Sequence, residues 1–101
     1  MFVEEARRRQ SFFNNLKQHL EELKRAIHSI DPEAELYIFG SVARGDYTLA
    51  SDVDILIVTR MQPGFILKEL WLKGFREPFE FHVVSPDMLE HYKTGGELVK
   101  V

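Results

Sequence analysis

At 101 residues the chain has room for one domain, residues 1–101, and 45% hydrophobic with 29% charged residues is a folded, soluble profile. Thirteen basic against sixteen acidic residues give a formal charge of −3, so no global field draws in nucleic acid and any polyanion must be held locally. The lack of cysteine excludes a disulfide framework and a thiolate zinc site. No apolar run approaches about 20 residues, and the N-terminus reads as a charged helix rather than a secretory leader, so a cytoplasmic location is expected.

The first element is helical. Phe13, Leu16, Leu20, Leu23, Ile27 and Ile30 alternate in steps of three and four, an apolar seam that predicts one helix from near Val3 to just before Pro32. At 1.5 Å per residue it would run ~40 Å, long enough for its first turns, with Arg7, Arg8 and Arg9, to overhang the domain. The seam is expected to pack on a sheet rather than form a coiled coil, and the arginines to form a solvated face rather than a phosphate site. Next, "AELYIFG" predicts a short strand ending at Gly40, "SVARGD" a helical turn, and "YTLAS" a loop. "DVDILIVT" is rich in β-branched residues and predicts a strand, and "RMQPG" is turn chemistry. "FILKELWLKGF" predicts a helix with Ile66, Leu67, Leu70 and Trp71 on one wide apolar face. "PFEFHVV" predicts another strand. "SPDMLEHYKTG" predicts a helix capped by Ser85 with Pro86 at its first position. The tail "GELVKV" is either a last strand or frayed. The order implies an α/β fold, a small mixed β-sheet with helices packed on it.

Chemistry concentrates in "IFGSVARGDYTLASDVDILIV", Ile38 to Val58. A strand that ends at Gly40 lets a ligand or another backbone approach closely. The free N–H groups of the turn after it favour an anion, and Ser41 can cap that turn or donate to a phosphate oxygen. Asp52 and Asp54, two apart on a strand, should point to one face. They are either exposed at a strand end or, beside a phosphate-favouring turn, ligands of a divalent cation such as Mg²⁺. Glu80 and His82 share a face of the later strand. Glu80 is the expected third acid and His82 the alternative occupant, unless this is an edge strand showing both to water. Arg44 either reaches a phosphate or pairs with Asp46 or Asp52. Ser51 is expected to bond its own loop or a metal ligand. His19, His28 and His91 show no ligand spacing.

The order Gly-Ser, ten residues, Asp-x-Asp, then an acid on a later strand resembles the nucleotidyltransferase superfamily of DNA polymerase β. "GSVARGDYTLASDVDILI" is especially similar to the minimal nucleotidyltransferases, whose pattern is G-S-x-A-R-G, a spacer and S-D-x-D. The resemblance implies a polymerase β palm-like fold binding a nucleoside triphosphate with two Mg²⁺ ions. Asp52, Asp54 and Glu80 would be the catalytic and metal-binding acids, and Gly40, Ser41, Arg44 and Ser51 the nucleotide-binding group. The family more often has aspartate at the third acid. The implied reaction is attack of an acceptor hydroxyl on the α-phosphorus, with loss of pyrophosphate.

The resemblance also implies a partner. Such small nucleotidyltransferases pair with an all-helical HEPN-domain protein, often as antitoxin and toxin, which would make the acceptor a partner tyrosine and the donor ATP. The face around Trp71 and the N-terminal helix are candidate docking surfaces, and a homo-oligomer is a further expectation. The competing readings are an antitoxin or scaffold module that binds nucleotide and acts by contact without catalysis, and a structural domain with a vestigial site. Nucleic-acid templating is not expected, because the chain has no basic groove.

Overall fold

A computed structural model describes residues 2–101. Four strands form one mixed sheet: β1 (Glu35–Phe39), β2 (Val53–Val58), β3 (Phe79–Val84) and β4 (Val99–Lys100), in the order β3-β2-β1-β4. β1 runs antiparallel to β2 and β4, whereas β2 and β3 are parallel. A parallel pair needs a crossover, and α4 (Pro63–Leu72) supplies it. The short tail is therefore a strand, which completes the sheet on the far side of β1.

The predicted single N-terminal helix is two helices, α1 (Phe2–Asn14) and α2 (Leu16–Ile30). The break falls at Asn15, whose side-chain amide donates to the Ser11 carbonyl at 2.8 Å and whose backbone N–H bonds Phe12, three residues back. Such local side-chain bonding is how asparagine competes with helix propagation. The seam survives the break. Phe13 of α1 and Leu23 and Ile27 of α2 share one core with Ile66 and Leu70 of α4.

Alternation along the strands sorts the two faces of the sheet. Val53, Ile55 and Ile57 of β2, Leu36 of β1 and Phe79 of β3 meet the helices in that core. Of the four residues expected on one wide apolar face of α4, Ile66 and Leu70 are buried in the core while Leu67 and Trp71 are exposed. Arg76 lies over the Trp71 ring at 3.4 Å from its centroid, which covers part of the indole from outside. On the other face lie Asp54, Leu56, Glu80 and His82, together with Phe39, against whose ring Tyr92 packs edge-on.

Two local devices hold the frame. The Thr59 hydroxyl, buried just after β2, donates to Asp31 just after α2. At Ser85, the predicted helix begins as a single 3₁₀ turn, Pro86–Met88, before α5 (Leu89–Thr94). The Ser85 hydroxyl serves Asp87 instead of a backbone cap, and this hydrogen bond is the main reason the Asp87 carboxyl titrates below its ordinary value.

Candidate active site

β1 ends at Phe39 and the chain turns at Gly40 into α3 (Gly40–Arg44). Gly40 has φ +74°, a conformation that side-chain-bearing residues rarely adopt. A Cβ built there would collide with the Asp54 carboxylate. The close approach expected at this glycine is thus made by an acid of the neighbouring strand, and Ser41 follows immediately at the start of the turn. Antiparallel pairing sets Phe39 opposite Asp54, which fixes this meeting.

Parallel pairing does the rest. Asp54 is the register partner of Glu80, so the two carboxylates rise side by side, and His82 stands two residues farther along the same face of β3. One ligand atom from each of Asp54, Glu80 and His82 lies within 4.8 Å of the others. His82 Nε2 is 3.7 Å from Asp54 Oδ1 and 3.6 Å from Glu80 Oε1, beyond hydrogen-bonding distance of both. That nitrogen is buried and has no hydrogen-bond partner. The Phe39 ring packs edge-on against the imidazole with centroids 4.9 Å apart, which fixes its position.

The other predicted site residues are placed differently. Asp52 immediately precedes β2 and is outside the cluster of three. It faces Arg9 of α1 at 3.7 Å. Arg9 also donates to the carbonyls of Ser51 at 3.0 Å and Leu49 at 3.2 Å. The expectation that Arg7, Arg8 and Arg9 form a solvated, overhanging face is corrected at Arg9. Its side chain is only 17% exposed and clamps the loop that carries Asp52. No motif in the sequence flags it. Ser51 holds the same loop, its hydroxyl accepting from the Thr48 N–H at 3.0 Å. Arg44 pairs with Asp46 at 3.3 Å rather than with Asp52.

Arg44 and Gly40 also line a cavity of about 450 Å³ with Phe39, His91, Tyr92 and the 95–98 turn. A larger one, about 650 Å³, lies on the helical side of the sheet between α1 and Trp71. The smaller cavity is the one that adjoins the acids, through Gly40. The alternative that Glu80 and His82 merely face water on an edge strand is half met. β3 is an edge strand and Glu80 is exposed, but the His82 nitrogen is turned inward.

The profile of the nucleotidyltransferase domain matches residues 16–80, from the start of α2 through Glu80. The chain belongs to this nucleotidyltransferase family. The solved structures agree. One protein assigned to the nucleotidyltransferases is 29% identical, with a TM-score of 0.68 over 82% of this chain and 97% of its own. Another so assigned, from Sulfolobus solfataricus, is also 29% identical, with a TM-score of 0.60 over 95% of this chain and 85% of its own. No curated relative matches the chain by sequence. The mixed sheet with its helices is accordingly the polymerase β-like nucleotidyltransferase fold, and the sequence resemblance holds at the level of family. Among the described residues no helix is long and apolar enough to cross a membrane.

Nucleotidyltransferases usually work with a divalent metal, and the donor set here suits one. Two carboxylates and an inward imidazole nitrogen converge there.

Proposed function

We propose that this nucleotidyltransferase transfers AMP from ATP to an acceptor hydroxyl, with a tyrosine of an all-helical HEPN-domain partner as acceptor and the chain serving as the antitoxin of the pair. The reading rests on family membership and on the resemblance of Gly40 to Ile57 to the minimal nucleotidyltransferases. The single observation that carries it is the meeting of Asp54 and Glu80 against the Gly40–Ser41 turn. A divalent cation held by Asp54 and Glu80, when bound, supplies positive charge to the phosphates and acidifies the acceptor hydroxyl. Asp54 anchors, because it is pinned between Gly40 and Glu80. Glu80, the more exposed acid, takes the acceptor's proton in this reading. Ser41 and the amides of its turn orient the leaving phosphates. Arg44, at the rim of the adjoining cavity, exchanges Asp46 for a phosphate oxygen. Asp52 joins as a ligand only once released from Arg9.

That last contact also favours a second reading, a module that binds nucleotide and acts on its partner by contact alone. One experiment separates them. The chain and its co-purifying partner are incubated with labelled ATP and a divalent cation, and the partner is read by mass spectrometry for added nucleotide. The expected result is AMP on a tyrosine, reduced at least ~100-fold with Asp54→Asn. A partner that stays unmodified yet is neutralised equally by wild type and Asp54→Asn would establish the contact reading instead.

A further inference from the structure

Asp54 Oδ1, Glu80 Oε1 and His82 Nε2 face one another in the site. Each of the three offers an atom that can ligate a cation, two carboxylate oxygens and a ring nitrogen. The separations of 3.6 and 3.7 Å are too long for hydrogen bonds. They are near the ~3.4 Å spacing of neighbouring ligands around a four-coordinate ion with bonds of about 2.1 Å. The buried nitrogen has no other partner, and Phe39 holds the ring where it stands. A buried polar atom without a partner is expensive, and a cation between the three groups removes the penalty.

We infer that His82 is an inner ligand of the metal site, and that the site therefore selects a transition-metal ion of the Mn²⁺ class over Mg²⁺. Mg²⁺ demands oxygen ligands and gives up its water reluctantly, so an imidazole adds little to its binding. Among first-row transition ions a nitrogen ligand strengthens the site, least for Mn²⁺ and increasingly for the ions after it. His82 lies two residues beyond the region matched by the family profile. The inference rests on the reading of Asp54 and Glu80 as metal ligands and concerns which ion they share with His82.

The test needs no turnover. Mn²⁺ is titrated into the full chain by calorimetry, and pulsed electron paramagnetic resonance then reads nitrogen coupling to the bound ion. The expected result is a directly coupled nitrogen and Mn²⁺ affinity about tenfold or more above that for Mg²⁺. In His82→Gln the coupling disappears, and Mn²⁺ affinity falls by about tenfold while Mg²⁺ affinity stays within about threefold. ¹⁵N-histidine NMR of the wild type with Zn²⁺, following each of the four histidines, identifies the ligand even where His82→Gln fails to fold. A shift confined to His82 supports the assignment. Tight Mn²⁺ binding without nitrogen coupling, or coupling from another histidine, overturns this inference and leaves the carboxylate site standing. No divalent binding at all overturns both.

Discussion

Gly40 is where the demands of the backbone and the chemistry meet. Its φ of +74° and the nearness of Asp54 leave room for a hydrogen only. Gly40→Ala imposes left-handed strain and pushes the Asp54 carboxylate out of line with Glu80. The expected outcome is a loss of about 1–3 kcal/mol in urea unfolding, together with a fall in divalent-cation affinity read by calorimetry. Unchanged cation binding would mean that Gly40 does not position the acid. The sequence made this residue legible as a strand-ending glycine but could not say what approached it, because the answer lies across a β-ladder. Asp54, Glu80 and His82 were legible through strand parity, since alternation fixes which side chains share a face. Glu80 was also expected to join Asp54 as the third acid, but the Asp54–Glu80 register that brings them together could not be read from the sequence. Asp52 stands apart for a physical reason: it lies just before Val53, where β2 begins, and Arg9, 42 residues ahead of Ser51, holds its loop.

Helices were readable by periodicity but not by continuity. The seam from Phe13 to Ile30 named residues that do reach the core, yet Asn15 divides the helix that carries it. A single asparagine changes hydrophobic period very little, so the signal passed straight through the break. The same blindness affected α4. Period alone made Leu70 and Trp71 equals, whereas packing buries Leu70 completely and leaves Trp71 59% exposed beneath Arg76. The two neighbours should therefore respond differently to truncation. Leu70→Ala opens a cavity under the sheet and is expected to lose about 2–5 kcal/mol in denaturant unfolding. Trp71→Ala removes a surface ring and one cation–π contact, with an expected loss of about 1 kcal/mol. Equal losses would show that Trp71 is anchored in the core.

For the molecule as a whole, the arrangement is one-sided. Helices α1, α2 and α4 build the apolar core on one face of the sheet, and the acids stand on the other. The two faces are linked through β2 and β3, whose side chains alternate between core and site, so stability and metal binding share the same strands. Register sets two like charges, Asp54 and Glu80, opposite each other, an arrangement that opposes folding unless a cation intervenes. Binding to the native site alone stabilises by mass action, about 2.7 kcal/mol when free cation is about 100 times its dissociation constant. In a domain of this size that raises the melting temperature by roughly 10–20 °C. A thermal scan of the wild type against increasing Mn²⁺ should show this rise. In Asp54→Asn the rise should vanish, while the cation-free variant melts no lower than wild type because the repulsion with Glu80 has gone. A cation-dependent rise that survives Asp54→Asn would place the bound ion elsewhere on the chain. A cation-free variant that melts well below wild type would mean that Asp54 supports the fold through contacts other than the metal, its packing against Gly40 first among them.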